Sequence, residues 1–440
     1  MLRRIVFVAR LLVPLTCFLA AGQTNGATRS DEAGGDNPRL QFVVYLSRHG
    51  VRSPTKAPSQ YNVYSAAPWP EWSVPPGYLT PHGYTLMKLF GAYDRVKLAE
   101  ERLFSDSGCE DAAHVTILAD SDQRTRQTGK AIAEGMFPGC RVNVEAKPEG
   151  TPDPLFHSLH AGIGRPDQAL ALAAVKGRIG EAPENLTEVY RPQLTTLDQM
   201  LAGCGLAHPQ HHRTSIFEIP SKLAPGKGDH PLELRGPLST GSSLSENLLL
   251  EYTEGMQGQA LGWGCVDEGS LRSIMELHTA QSEIEQRVPV IARMYASNLL
   301  DHIVKSLEQA AAGKPVAGAL GTPGDHLLFL VGHDTNIATV AGVLDLNWII
   351  DGRMDDTPPG GALMFELWRS AAGGFRVRLF YTAQTLDQMR QTSALTPNSP
   401  PSQTPLFVPG CSGPDMSCSL QDFAQTVSRS IDSSFAPGAQ

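Results

Sequence analysis

Short apolar runs followed by helical patterns occur near both ends of this 440-residue chain. Residues 41–47, 114–119 and 326–331 are apolar runs of the length and character that buried strands have. Residues 363–367 and 375–381 are further strand candidates. Helical patterns follow the first three runs, at 81–103 after the N-cap Thr80, at 123–136, and from Thr335 onward. The alternation predicts the α/β class, with a mainly parallel sheet flanked by helices.

The pattern changes between residues 150 and 300. Segments rich in Ala, Leu and Gln at helical spacing dominate there, at 165–177, 186–202 and 268–310. We therefore expect a mostly helical domain inserted into the α/β core. The predicted division is a first part of the α/β domain at 39–150, a helical cap domain at 151–285 and the second part of the α/β domain at 286–440.

The amino terminus has the pattern of a secretory signal peptide, which we predict over residues 1–21. Arg3, Arg4 and Arg10 supply positive charge, and the apolar run at 11–21 is too short to span a membrane. An uncleaved anchor is the alternative. Residues 22–38, rich in Gly, Ser, Asp and Asn, are predicted to be a disordered leader. We expect a periplasmic or secreted protein whose mature form has no membrane segment.

Six of the seven cysteines lie beyond the predicted signal, and an even number in an exported chain favours disulfides. Nearest-neighbour pairing gives Cys109–Cys140, Cys204–Cys265 and Cys411–Cys418, with buried free thiols as the alternative. No CxxC spacing occurs, so a structural zinc site is not expected.

The formal charge of −9 and the pI near 5.8 bear on possible partners. The chain has no basic stripe, so we expect no nucleic-acid partner. An anionic small molecule remains compatible with net acidity, because clustered arginines can dominate the local potential. We expect the protein to be a monomer.

Two predicted strands end in polar clusters. The run Ser47-Arg48-His49-Gly50-Val51-Arg52-Ser53-Pro54-Thr55 follows the first strand, and Gly332-His333-Asp334-Thr335-Asn336 follows the strand at 326–331. Ligands of open α/β sheets bind at the carboxyl ends of strands, so both clusters are expected to face one crevice.

The residue types in these clusters suit phosphate chemistry. Arg48 and Arg52 carry planar, permanently charged groups that match phosphate oxygens. His49 between them can attack phosphorus, and a protonated Asp334 can supply the proton for the leaving group. The clusters predict hydrolysis of a phosphate monoester through a phosphohistidine. No metal or other cofactor is expected, because the arginines neutralise the phosphoryl charge.

Arg48-His49-Gly50-Val51-Arg52 with Pro54, together with His333-Asp334, resembles the histidine acid phosphatase family. Within that family the chain is most similar to bacterial periplasmic phytases and glucose-1-phosphatases. The similarity covers most of the mature chain, including Trp69-Pro70, Leu79-Thr80-Pro81, Pro152-Asp153-Pro154-Leu155-Phe156 and Thr357-Pro358-Pro359-Gly360-Gly361. The resemblance implies a phosphoglycerate-mutase-like α/β domain, a helical domain above the cleft, and activity at acid pH.

The resemblance also implies roles for single residues. His49 would be the nucleophile and Asp334 the proton donor. The residues implied to bind phosphate are Arg48, Arg52, Arg124 and His333. Those implied to line the substrate pocket are Thr55, Lys56, Asp120 and Glu246. Tyr295 stands where some phytases place a basic residue, which weakens the case for phytate without changing the chemistry.

Other interpretations stay open at this stage. Phytase-like hydrolysis of myo-inositol hexakisphosphate is preferred, with glucose-1-phosphatase or broad acid phosphatase activity as the alternative. A non-catalytic phosphosugar-binding protein is the competing class, although it would have no use for both His49 and Asp334. Glu246 could be an acid in the first turn of a helix that starts near Ser242. His157 and His160 are predicted to lie in a solvated loop.

Overall fold

The computed structural model describes residues 38–204, 212–371 and 373–437. The predicted signal peptide at 1–21 and the predicted leader at 22–38, except Pro38, lie outside these ranges. Among the helices of the described ranges, none is both long enough and apolar enough to cross a bilayer.

The main sheet has eight strands within the described residues, and its order is β11-β10-β9-β1-β6-β2-β3, with β12 paired to β10. The strands of the described ranges are β1 (Arg39–Arg48), β2 (Val115–Ala119), β3 (Val144–Glu145), β4 (Lys222–Pro225), β5 (Leu232–Arg235), β6 (Leu327–Gly332), β7 (Ile349–Ile350), β8 (Arg353–Met354), β9 (Ala362–Arg369), β10 (Phe375–Ala383), β11 (Ser402–Leu406) and β12 (Ser417–Ser419). The strands β1, β6, β2 and β3 pair in parallel. Because β9 is antiparallel to both β1 and β10, β10 runs with the parallel set, while β9, β11 and β12 oppose it. The α/β class with a mostly parallel sheet is confirmed.

The helices agree with the sequence pattern in most places. They are α1 (Pro58–Tyr61), α2 (Pro81–Glu100), α3 (Gln123–Met136), α4 (Gln168–Ile179), α5 (Asn185–Val189), α6 (Arg191–Leu201), α7 (Pro237–Thr253), α8 (Glu268–Glu285), α9 (Pro289–Ala312), α10 (Asp334–Leu344), α11 (Leu386–Gln391) and α12 (Leu420–Ser430). The Thr80 hydroxyl caps α2 by accepting from the Gly83 amide at 2.9 Å. The predicted helical segment at 268–310 is two helices. Proline has no amide hydrogen and disfavours the interior of a helix, so Pro289 instead occupies the first position of α9.

The alternation of side chains along β1 separates two apolar cores. Val44 and Leu46 pack on one face of the sheet with α9, α10 and α12. Val43 and Tyr45 pack on the other face with α2 and α3. Since side chains of a strand alternate between faces, a strand buried on both sides reads as a continuous apolar run, as residues 41–47 do.

A third core lies among the helices of the middle segment. Leu197 of α6, Leu248 of α7 and Ile274 of α8 are fully buried in it, and Trp69 from the early loop joins them. The segment also contains the hairpin of β4 and β5. The helical character expected for 151–285 is therefore present, and the domain boundaries at 150 and 285 stay a prediction.

Two glycines bring α2 against the loop that follows β1. A Cβ on Gly83 would lie 2.1 Å from the carbonyl oxygen of Val51, and one on Gly50 would lie 2.7 Å from Cγ of Met87. Such distances are shorter than any van der Waals contact, so only glycine permits this approach. The helix thereby supports the loop that contains His49.

Three disulfides join Cys109 to Cys140, Cys204 to Cys265 and Cys411 to Cys418, with Cα–Cα distances of 5.5, 5.6 and 5.3 Å. These are the pairs expected from the sequence. Cys109 and Cys140 lie 31 residues apart, whereas Cys411 and Cys418 lie 7 apart.

Removing the Cys109–Cys140 disulfide with the two serine substitutions should lower the free energy of unfolding by about 4 kcal/mol, against about 2 kcal/mol for Cys411–Cys418, because the longer loop restricts the unfolded chain more. Urea unfolding of both double variants under the same conditions measures the difference. Equal losses, or a larger loss for Cys411–Cys418, would contradict the loop-length explanation.

Candidate active site

The two polar clusters meet because β1 and β6 are parallel neighbours. Arg48, the last residue of β1, is in register with Gly332, the last residue of β6. The chain continues from these positions into His49 and into His333 and Asp334. A Cβ on Gly332 would lie 2.5 Å from Oδ1 of Asn336, so glycine is required where β6 turns into α10. The crevice expected at the carboxyl ends of the strands is therefore formed.

The ring of His49 is buried and held in one tautomer. Its Nδ1 lies 2.9 Å from the carbonyl oxygen of Gly50. Because a carbonyl can only accept, Nδ1 carries the proton and Nε2 keeps its lone pair. The pKa of His49 is held well below its ordinary value, first by burial and then by the positive charges of Arg124, Arg52 and Arg48. The ring is therefore neutral in acid solution, as a nucleophile must be.

Arg48 and Arg52 share one carboxylate. Arg48 donates from Nη2 to Glu246 and from Nη1 to the carbonyl oxygen of Thr357 at 2.6 Å. Nη2 of Arg52 donates to the same Oε1 of Glu246 at 3.0 Å. Burial would raise the pKa of Glu246, but the charges of Arg52 and Arg48 lower it to about 2. Glu246 thus supplies one negative charge that the two arginines share.

Glu246 lies in the middle of α7, which begins at Pro237. The expectation of a helix that starts near Ser242, with Glu246 in its first turn, is wrong. Pro237 takes the first helical position after Gly236, whose φ of +133° suits glycine. The helix dipole therefore does not account for a buried acid at position 246, whereas the contacts of Glu246 with Arg48 and Arg52 do.

Asp120, which directly follows β2, bonds two histidines. Its Oδ2 accepts from Nε2 of His333 at 2.6 Å and from Nε2 of His157 at 2.9 Å. Burial opposes ionisation of Asp120, but the hydrogen bonds from His157 and His333 hold its pKa below the usual range. Nη2 of Arg124 lies 3.4 Å from Nδ1 of His333, which accepts because Nε2 carries the proton. Asp120 thus orients His333.

The expectation of a solvated loop is wrong for His157. Its side chain is 42% exposed, but it bonds the buried Asp120 and its ring centroid lies 5.0 Å from that of His333. The sequence carried one signal for this role, because His157 directly follows the segment Pro152-Asp153-Pro154-Leu155-Phe156 that supports the family resemblance.

Asp334 begins α10 and is surrounded by positive groups. Its Oδ2 lies 3.3 Å from Nη2 of Arg48 and 3.9 Å from Nε2 of His278, and its Oδ1 accepts from the Thr335 amide at 2.8 Å. Burial would raise the pKa of Asp334, but Arg48 and His278 outweigh it and keep the carboxyl ionised. This ionised Asp334 differs from the protonated carboxyl expected from the sequence.

A cavity of about 590 Å³ opens onto these groups. Its lining includes His49, Arg52, His333 and Asp334 from the clusters and Arg124 from α3. It also includes His160, Asp229, His230, Glu285 and Tyr295 from the helical segment and its surroundings. Thr55 and Lys56 are exposed and do not belong to this lining, so their contact with a substrate stays a prediction. His278, on α8, was missed because a single histidine in a helix has no distinguishing sequence pattern.

Two groups of acids and histidines have ligand atoms within 4.8 Å of one another: Asp120, His157 and His333 form one, and Glu246, His278 and Asp334 form the other. In both, carboxylate oxygens already accept hydrogen bonds from imidazole or lie against guanidinium groups. We assign no metal to either group, because these pairings account for the arrangement.

Guanidinium groups around a neutral histidine, at the carboxyl ends of parallel strands, define a phosphate-handling α/β protein. The family model of the histidine phosphatase superfamily (branch 2) matches residues 39–196 and 284–382. The chain belongs to this superfamily.

Individual relatives are similar over almost the whole chain. Phytase AppA of Escherichia coli (strain K12) is 35% identical over 428 residues, 95% of each chain. Glucose-1-phosphatase of Providencia rettgeri is 28% identical over 408 residues, 89% of this chain and 92% of the relative. The solved structure of Hafnia alvei phytase with myo-inositol hexakis sulphate has a TM-score of 0.82 at 35% identity, covering 91% of this chain and 99% of that one.

Asp120→Asn should destabilise the protein more at about pH 5 than at about pH 8. Because the pKa of Asp120 is lower in the folded protein than in the unfolded chain, where it is near 4, ionised Asp120 stabilises the fold at any pH above that unfolded value. This contribution is lost as the pH falls through the folded pKa. Burial lowers the pKa of His157, but the hydrogen bond to Asp120 outweighs burial and raises the pKa overall. The stabilisation that protonated His157 gives to the fold is therefore lost as the pH rises through the folded pKa of His157. We expect a loss of about 1–3 kcal/mol at the lower pH.

Urea unfolding at the two pH values measures this effect. The matched control is Asp198→Asn, which removes a part-buried acid whose partner Arg213 stays charged at both pH values, so its effect should not change between them. The ion-pair explanation is wrong if Asp120→Asn, like the control, destabilises equally at both pH values.

Proposed function

We propose that the protein is a phytase-like acid phosphomonoesterase that forms a phosphohistidine on His49. The observation that carries the proposal is the state of this ring. Its Nε2 is unprotonated, its Nδ1 is fixed on Gly50, and its pKa is lowered by burial and by three arginines. A neutral imidazole in an electropositive site suits attack on a phosphate and serves no evident purpose in a protein that only binds one.

In the first step the phosphoryl group lies among Arg48, Arg52 and Arg124, within reach of Nε2. The nitrogen attacks phosphorus as the bond to the ester oxygen breaks, and the electron pair goes to that oxygen. The arginines stabilise charge on the non-bridging oxygens, so the chemistry requires no metal. The incoming phosphate competes with Glu246 for Arg48 and Arg52 and replaces it as their counter-charge.

Asp334 can become the proton donor when the substrate binds. The negative charge of the phosphate offsets Arg48, the largest of the charges that keep this carboxyl ionised. Below about pH 6 a phosphate monoester itself carries a proton, which it can pass to Asp334. Asp334 then protonates the leaving oxygen and, in the second step, accepts a proton from the attacking water. This sequence accounts for activity at acid pH.

The similarity to enzymes named phytase, and the size of the cavity, support myo-inositol hexakisphosphate as the substrate. Glucose-1-phosphatase activity is the second candidate, supported by the relative of that name and by Tyr295, Phe156 and Leu159 in the cavity wall, which offer no charge to further phosphates. The ratio of kcat/KM for phytate to that for glucose 1-phosphate decides between them.

We further propose that the protein acts in the periplasm or outside the cell, as a monomer. Three disulfides support an oxidising compartment.

Replacing His49 with alanine should reduce phosphate release at about pH 4.5 by at least about 10³-fold, because the attacking atom is lost. A denaturing quench in alkali, in which phosphohistidine is stable, should place the label of phosphorus-labelled substrate on a histidine of the wild type, and the variant should trap none. His114→Ala, which changes a histidine at the amino end of β2, is the control. Near-normal turnover of the His49 variant, or label on another side chain, refutes the mechanism.

Asp334→Asn should slow alkyl phosphates by about 10²–10⁴-fold and p-nitrophenyl phosphate much less, because only poor leaving groups need the proton. Steady-state kcat/KM for both esters measures the difference. If the two esters lose rate equally, Asp334 is not the proton donor.

A further inference from the structure

A second set of titratable side chains lines the same cavity as His49 and takes no part in the chemistry above. His160 lies in the turn after His157, and Asp229 and His230 lie in the loop between β4 and β5. Nδ1 of His160 is 2.9 Å from Oδ2 of Asp229, and Nε2 of His230 is 3.9 Å from Oδ1 of the same carboxylate. We call His160 and His230 the histidine pair.

Both rings are accessible to a ligand. Their side chains are 64% and 70% exposed, and each turns one nitrogen toward Asp229. Because a protonated imidazole donates from both nitrogens, the second nitrogen of each ring can donate to a bound anion.

Several charged or titratable groups surround the pair. They are Lys227 and Asp229 in its own loop, Glu285 at the end of α8, Tyr295 on α9, and Arg52, Arg124, His157 and Asp334 on the catalytic side. Burial opposes ionisation of Asp229, but the hydrogen bond from His160 holds its pKa below the usual range, so it stays negative. Burial raises the pKa of Glu285, which favours its uncharged form in acid.

We propose that the histidine pair is a second anion-binding position, which holds a further phosphate group of a polyphosphorylated substrate in acid solution and repels it near neutrality. The proposal rests on the phosphatase function proposed above. Imidazole changes charge between pH 5 and 8. With both rings charged, the pair and Asp229 together carry one positive charge; with both neutral, Asp229 alone leaves one negative charge.

The position of the pair suits a substrate with several phosphates. Arg48, Arg52 and Arg124 are charged at any working pH and hold the phosphate that reacts. The cavity is within the range of about 300–1,000 Å³ that ligand pockets occupy, and it exceeds the space of one phosphate group. Affinity for a polyphosphate should therefore depend on pH more steeply than affinity for a simple monoester.

The test uses myo-inositol hexakis sulphate as a competitive inhibitor of p-nitrophenyl phosphate hydrolysis. Its sulphate groups stay charged over the whole range, whereas phosphate groups titrate near pH 6 and would obscure the enzyme's own dependence. The inhibition constant is measured at about pH 4.5 and about pH 7, which lie on either side of imidazole titration. The variants are His160→Gln/His230→Gln and His160→Lys/His230→Lys. The control is His114→Gln/His302→Gln, two histidines outside the cavity lining.

We expect the wild-type inhibitor to bind more weakly at the higher pH. The glutamine variant should reduce this pH ratio by about tenfold, and the lysine variant should bind about tenfold tighter than wild type at the higher pH, as loss or gain of a charged hydrogen bond predicts. The control should match the wild type.

Two outcomes overturn the proposal: an unchanged pH ratio in the folded glutamine variant, or no tighter binding by the lysine variant near neutrality. The lysine variant decides the matter if the glutamine variant does not fold, which thermal melting will show. Failure of the phosphatase function is distinguishable, because the wild type would then not hydrolyse p-nitrophenyl phosphate.

Discussion

The parallel pairing of β1 with β6 is the constraint on which the site depends. Their register sets Arg48 opposite Gly332, so two segments that are almost 300 residues apart leave the sheet side by side. His49 and His333 follow immediately, and their ring centroids lie 5.7 Å apart. Glycines at positions 50, 83 and 332 permit the close backbone contacts that hold this junction. A bulkier residue at any of them would displace the loop or the helix that supports it.

The balance between buried positive and negative charges determines the protonation states of His49 and Asp334 at this junction. Arg48 is fully buried, and it is tolerated because Glu246 and Asp334 lie against it. Burial and the surrounding arginines lower the pKa of His49, so the positive charge that suits a phosphate also keeps this ring neutral. In the proposed mechanism, a phosphate that enters the site replaces Glu246 as counter-charge and offsets the charge of Arg48 that keeps Asp334 ionised. Binding and proton transfer are therefore coupled through one guanidinium.

The helical segment adds the groups that surround the reacting phosphate. Glu246 comes from α7, His278 from α8, and Asp229 and His230 from the loop between β4 and β5. The α/β core contributes permanent charge through its arginines, whereas this segment and the adjoining turn contribute imidazole and carboxylate groups. In the proposed mechanism the arginines hold the phosphate that reacts, and the groups of the helical segment determine which substrates bind beside it.

Local pattern was sufficient for much of the protein. Strand and helix periodicity located β1, β6 and α3, the motif around His49 identified the phosphate chemistry, and the cysteine spacing agreed with the three disulfides. The strands, the helix and the motif depend on neighbours in the chain. The bond of His157 to Asp120, the position of His278 and the ionisation of Asp334 depend on residues brought together from distant segments. Charge interactions act through space and leave no periodicity in the sequence, so only the tertiary structure decided them.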